Sequence, residues 1–382
     1  MKRGICMILA VLLVLAVPLT AEAAGPEVPA KSAVLMDIAT GTILHEQDAH
    51  SPLAPASVTK VMTMLLIMEA IDSGKIRWDD TVTASEAAAA KGGSQVYLKV
   101  GEAMTVEEMV KSIAVSSAND CACAMAEHLA GSEAAFVDKM NARAKELGMN
   151  DTHFVNCTGL DDEPNAAEHL TSAYDIALMS RELLKNHPDI TKYTTIWMDT
   201  IRSGTFGLSN TNKLVRFYSG ATGLKTGFTA KAGYCLSASA QRDGLGLMAV
   251  VMGSETSQDR FAACTQLLDY GFANFALVVP EVPEEVVPVR LGHRDGVVAV
   301  PSGDAQLLID KGQRDSVTVR VELEEHVAAP VSRGQRLGEM TVLAGEQILA
   351  KVPLVAEESV ARLGWGDLFV RFLMRLCMAK YK

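Results

Sequence analysis

The chain has no Cys-x-x-Cys pair, no cysteine and histidine spacing suited to a metal and no His-Glu-x-x-His motif. Those absences remove dithiol redox enzymes and zinc hydrolases from consideration. The nearest approach, His45-Glu46 followed by His50, is an i, i+5 pair that shares no helix face. No Gly-x-Ser-x-Gly elbow occurs, so the strand-turn-helix nucleophile of a Ser-His-Asp hydrolase is missing too. Positive charge is in deficit: 35 Lys and Arg stand against 46 Asp and Glu, a net charge of −11. That balance argues against nucleic acid as a partner and for solubility.

What is there describes a foldable protein: 382 residues, 49% apolar and 21% charged, enough for two domains. Lys2 and Arg3, an apolar run from Ile5 to Leu19 and the small-x-small ending Ala21-Glu22-Ala23 read as a secretory signal peptide over 1–23. The run is too short for a retained span, and no lipobox-like cysteine follows it. Of seven cysteines, Cys6 leaves with the signal. The remaining even number permits disulfides. Apolar surroundings such as Ala122-Cys123-Ala124-Met125 and Tyr234-Cys235-Leu236 favour buried thiols instead.

The chain is organised around Pro55-Ala56-Ser57-Val58-Thr59-Lys60, at the mouth of a run apolar almost all round, as a core helix is. A spacing of i, i+3 puts the Ser57 hydroxyl and the Lys60 amine on one helix face. A buried lysine loses its proton readily and becomes a base for the hydroxyl, while the helix N-terminus points N–H groups at charge forming near Ser57. Read blandly, Ser57 is a cap and Lys60 a solvated side chain, for a lone Ser-x-x-Lys arises about once by chance in a chain of this length.

Around this stretch the pattern predicts a hairpin from Ser32–Ile38 and Thr42–Glu46, an alanine-rich helix over Ser85–Lys91, and a helix entered through a Thr105/Glu108 capping box. A second apolar helix runs to Leu129, and others cover Glu133–Leu147 and Ser172–Lys185. Strands follow at Gly223–Thr229, Gly233–Ala240 and Leu245–Met252, then a helix over Ser257–Phe275. Early and late strands are expected to share one antiparallel sheet with helices around it, an α/β fold. Pro280, Pro283 and Pro288 mark a linker, and strands with glycine turns to about Val352 predict an all-β module. In Gly364–Lys382, Trp365, Leu368, Phe369, Phe372, Leu373 and Leu376 follow one helical face, with Arg371 and Arg375 off it. Such a basic amphipathic helix suits a membrane surface. The expected units are 1–23, 24–278, 279–355 and 356–382.

Two further clusters give Ser57 company. Ser117-x-Asn119 falls in a helix break, where a hydroxyl can relay a proton and an amide can hold a substrate amide. Lys225-Thr226-Gly227 lies on a predicted strand, offering a cation and a hydroxyl for a carboxylate and a glycine beside which a peptide backbone can come close. Each of the two alone is an ordinary cap or strand feature; all three occur once, in order, on a helix start, a helix junction and a strand.

With these motifs the sequence resembles the penicillin-binding protein and serine β-lactamase superfamily. More closely it is similar to the low-molecular-weight D-alanyl-D-alanine carboxypeptidases of peptidoglycan, through Ala54–Thr63, Ser117-Ala118-Asn119-Asp120, Gly159-Leu160-Asp161 and Gly223–Thr229. The Phe228 form is similar to the carboxypeptidases of Firmicutes. The resemblance implies a β-lactamase/transpeptidase-like domain, a small all-β domain and a C-terminal amphipathic anchor at the outer face of the cytoplasmic membrane. It implies that Ser57 attacks the penultimate D-alanine carbonyl with Lys60 as base, and that the N–H groups of Ser57 and Phe228 hold the oxyanion. The leaving D-alanine is protonated through Ser117 and Lys60, its carboxylate is bound by Lys225 and Thr226 beside Gly227, and Asn119 orients the peptide. Stem peptides of peptidoglycan are the implied substrates and β-lactams the inhibitors, with no metal or organic cofactor. A β-lactamase shares all three motifs, but Glu163 and Glu168 sit in no Glu-x-x-x-Asn pattern. The alternatives are a D,D-endopeptidase or a β-lactamase; three intact motifs argue against a non-catalytic wall-binding protein.

Overall fold

The computed structural model describes residues 25–162, 165–281, 284–303 and 305–379. The expected signal peptide and Glu163 therefore lie outside the described residues.

The hairpin forms from β1 (Ser32–Asp37) and β2 (Ile43–Gln47), and the late strands are β3 (Ala221–Thr229), β4 (Gly233–Arg242) and β5 (Leu245–Ser254). They join in one antiparallel sheet of order β2-β1-β5-β4-β3. Strand alternation explains how one sheet serves two cores. Val34 and Met36 of β1, with Met248, Val250 and Met252 of β5, face the larger apolar cluster. Ala33, Leu35, Leu247, Ala249 and Val251 face a second one. Both faces are covered, which is why these strands read as continuous apolar runs.

The larger cluster is built on α1 (Lys60–Asp72), buried on nearly every side. Around it lie α2 (Val106–Ser116), α3 (Asn119–Ala130), α4 (Glu133–Glu146) and α5 (Ala173–Asn186). The opposite face of the sheet carries α6 (Ser257–Asn274), entered through a complete Thr256/Asp259 capping box. Strand β3 is an edge of the sheet, and the turn that carries Ser57 packs against it at Gly227.

Several local expectations are corrected. Ser57 sits in a 3-10 turn, Ala56–Thr59, and the α-helix begins only at Lys60. The alanine-rich helix shortens to Glu86–Ala89, capped by Ser85, and Lys91 beyond it pairs with Glu133 at 2.7 Å. At Thr105 only half of the capping box exists: Thr105 Oγ1 accepts from Glu108 N, whereas Glu108 Oε1 accepts from Arg202 N at 3.0 Å. Pro288 lies inside the strand Glu285–Arg290 rather than in the linker. The parallel neighbour of that strand begins only at Val289, so the missing proline N–H falls on a still uncovered edge.

The all-β region forms a six-stranded sheet around its own apolar cluster. Its last long strand runs to Ala356, and bridges at Val360 and Arg362 extend pairing past the expected Val352. The preceding strand Phe275–Val278 pairs with Leu307–Asp310, stitching the two regions together. The last helix is Trp365–Ala379.

Candidate active site

Lys60 Nζ donates to Ser57 Oγ at 2.8 Å and to the Thr158 carbonyl at 2.8 Å. The lysine is fully buried, and Ser57 is half-buried. Burial pulls the Lys60 amine down from about 10.5 to about 7, against the opposing pull of Cys157 and Asp120. Near neutral pH a large fraction of Lys60 is therefore a neutral amine within hydrogen-bond reach of a hydroxyl, the pairing a serine nucleophile needs.

The loop beneath this pair is held tightly. Thr63 Oγ1 donates to the Cys157 carbonyl at 2.7 Å, and Asn156 Oδ1 accepts from Gly159 N at 2.7 Å. Gly159 has φ +82°, and a Cβ there would lie 1.8 Å from the Ala56 carbonyl oxygen. Only glycine fits that contact. Ala56 itself adopts φ +47°, a left-handed conformation uncommon for a residue with a Cβ.

Ser117 ends α2 in the left-handed region at φ +62° and is buried at the helix break. Asn119 opens α3. Its backbone N–H donates to the Ser94 carbonyl and its Nδ2 to the Gly92 carbonyl, each at 2.7 Å. Its Oδ1 is buried without a partner among the described residues, an acceptor in reserve. Asp120 fixes the facing loop by accepting from Val96 N and Leu98 N.

Strand β3 closes the site. A Cβ on Gly227 would meet the Pro55 carbonyl oxygen at 2.6 Å and Val58 N at 3.1 Å, so the strand runs directly against the nucleophile turn. Lys225 is buried and donates to the Thr226 carbonyl at 2.9 Å. Burial pushes its amine well below the usual lysine range, and neighbouring Lys60 and Arg260 push it further. Thr226 Oγ1 shares a 2.7 Å hydrogen bond with Thr211 Oγ1. Phe228 is 53% exposed and stacks on Tyr234 with ring centroids 4.2 Å apart. Glu168 is exposed on a short 3-10 turn.

Sequence reasoning missed four contributors. Thr158 acts through a backbone carbonyl, which leaves no sequence signature. Thr211 and His169 come from segments without a motif. Arg260 did leave a signal: with Ala263, Cys264, Leu267 and Leu268 it falls on the buried face of α6, where a charged residue is out of place.

A family model described as D-alanyl-D-alanine carboxypeptidase matches residues 19–256, and one described as penicillin-binding protein 5, C-terminal domain, matches residues 280–362. The D-alanyl-D-alanine carboxypeptidase DacF of Bacillus subtilis is 43% identical over 353 residues, covering 91% of this chain and 88% of the relative. The crystal structure of penicillin-binding protein 5 from Haemophilus influenzae superposes with a TM-score of 0.74 at 31% identity, over 88% of this chain and 99% of that one. Penicillin-binding protein D2 of Listeria monocytogenes, solved in its ampicillin-bound form, matches at 31% identity with a TM-score of 0.59, over 65% of this chain and all of that one.

Proposed function

Because the chain belongs to the D-alanyl-D-alanine carboxypeptidase family, we propose a division of labour among the residues of its site. The protein is a serine-type D-Ala-D-Ala carboxypeptidase that acts on peptidoglycan and binds β-lactams. In our reading Ser57 Oγ attacks the carbonyl of the penultimate D-alanine while Lys60 Nζ takes its proton. The observation that carries this is the 2.8 Å contact between a half-buried hydroxyl and a fully buried amine lowered to about 7. The oxyanion is held by the backbone N–H groups of Ser57 and Phe228. The proton returns to the leaving nitrogen through Ser117 and Lys60, and water then releases the acyl group.

Lys225, Thr226 and Gly227 receive the terminal D-alanine. A carboxylate arriving beside Lys225 opposes the effect of burial and favours the protonated amine. Asn119 Oδ1, buried and without a partner among the described residues, accepts a stem-peptide N–H. The free edge of β3 lets the stem peptide lie alongside Phe228 as an added strand.

We further propose that residues 1–23 direct export and that the last helix rests on the membrane surface. Trp365, Phe369 and Phe372 are exposed at 90%, 63% and 60%, an apolar surface of the kind that enters a lipid interface. No helix among the described residues is long and apolar enough to cross a membrane. The deciding experiment is D-alanine release from a pentapeptide muropeptide, run beside a cross-linked dimer. Release by the wild type and none by Ser57→Ala supports the assignment; release by both overturns it.

A further inference from the structure

The two peptide units that would supply the oxyanion donors are each gripped from behind. In a trans peptide the C=O of one residue and the N–H of the next point in opposite directions. A hydrogen bond to the Ala56 carbonyl therefore aims the Ser57 N–H, and one to the Gly227 carbonyl aims the Phe228 N–H. Both bonds are present. Thr59 Oγ1 donates to Ala56 O at 2.8 Å, and Arg260 Nη1 donates to Gly227 O at 2.9 Å.

Each grip is itself locked. His169 is buried, and its Nδ1 lies 3.1 Å from Val155 N. The Val155 N–H must be the donor, so Nδ1 carries no proton and the ring proton sits on Nε2. Nε2–H then donates to Thr59 Oγ1 at 2.8 Å, which leaves the single threonine hydrogen for Ala56 O. Burial, with His153 and Lys231 nearby, lowers the His169 imidazole to about 4, so this relay holds at neutral pH. On the other side Arg260 is 8% exposed, has no carboxylate partner among the described residues and lies between the rings of Tyr234 and Phe261, 5.2 and 4.8 Å from their centroids. A guanidinium buried without a counter-ion is destabilising, and here its one short bond goes to the Gly227 carbonyl, with longer contacts of 3.5 Å to the Cys235 carbonyl and to Ser257 Oγ.

We propose that Thr59, locked by His169, and Arg260 are positioning residues that aim and polarise the two N–H groups of the oxyanion hole. A donor bonded to a peptide oxygen strengthens the N–H of the same peptide as a donor, and a charged one does so more. The left-handed Ala56, whose carbonyl oxygen also packs against Gly159, is the strained joint that Thr59 holds in register. The inference rests on the reading that the Ser57 and Phe228 amides bind the oxyanion.

The test is the infrared stretch of the acyl-enzyme ester carbonyl, isotope-edited with a carbonyl-labelled penicillin, together with the acylation rate. Losing a whole oxyanion donor slows catalysis roughly 10²–10³-fold. A misaimed donor is expected to slow acylation about 10- to 100-fold, within that bound. Thr59→Val and Arg260→Met should each do so and move the ester band to higher frequency, while Thr59→Ser restores both readouts. His169→Phe, which leaves the Thr59 hydroxyl free to turn, should give a smaller shift in the same direction and serves if Thr59→Val does not fold. Slower acylation with an unmoved band would overturn the positioning role. A wild-type adduct absent from Ser57, or an ester band at the frequency of an unbonded ester, would instead sink the parent assignment of the oxyanion hole.

Discussion

In the α/β region Lys60, Asp120, Lys225 and Arg260 are buried together with many hydroxyls and amides, whereas among the described residues beyond 284 no polar or charged side chain is buried. The strand region keeps its ions outside, as in the exposed pairs Arg336–Glu339 and Lys351–Glu339 at 2.9 and 3.0 Å, around a core of Val, Leu, Ala and Met. Buried charge is destabilising unless it is paired. The α/β region buries ionisable groups, Asp37 and Asp175 as well as the Lys60 and Lys225 of the site, whereas the strand region leaves its own in water.

The strongest test of that contrast is the nucleophile. Ser57→Ala should lower D-alanine release by about 10⁴-fold or more and abolish labelling by a fluorescent penicillin, with little change in melting temperature. Lys60→Met should cut kcat about 10²–10⁴-fold while stabilising the fold by about 1–4 kcal/mol, read from denaturant unfolding. The sign follows from proton binding. Between about 7 and the unfolded value of 10.5 the unfolded chain holds more protons than the native one, so wild-type stability rises with pH across that window. The gain from Lys60→Met should therefore be largest below about 7 and shrink as pH rises towards 10.5.

Thr226→Val removes a hydroxyl we place on the substrate carboxylate. A hydrogen bond to a charged group contributes about 1.5–3 kcal/mol, so kcat/KM should fall about 10- to 100-fold for peptides ending in a free carboxylate and far less for their amides. Truncation before Gly364 should leave turnover unchanged and lose binding to anionic vesicles; retained binding would remove the last helix from the membrane. At the far end of the scale, Glu339→Gln in the strand region should shift stability by at most about 1 kcal/mol and leave acylation alone.

The parts of this site that reside in side-chain types at short spacing were legible beforehand. Ser57 and Lys60 declare themselves by separation, and Lys225-Thr226-Gly227 by the strand that carries them. The sheet was legible because strands covered on both faces are continuously apolar. What stayed hidden is non-local or made of backbone. Nothing near Thr158 marks its carbonyl as a lysine acceptor 98 residues from Lys60. The Glu108 side chain left its capping box for Arg202, 94 residues away, which no local rule anticipates. Pro288 read as a linker because its tolerance in a strand depends on where the neighbouring strand begins.

Lys60 must be uncharged when Ser57 attacks, and the rate of Ser57 acylation by a penicillin between about pH 5 and 9 measures this directly. A rate that climbs with pH and levels off with a midpoint near 7 is the expected result. A flat profile, or a rate still rising towards the pKa of an ordinary lysine, would contradict it.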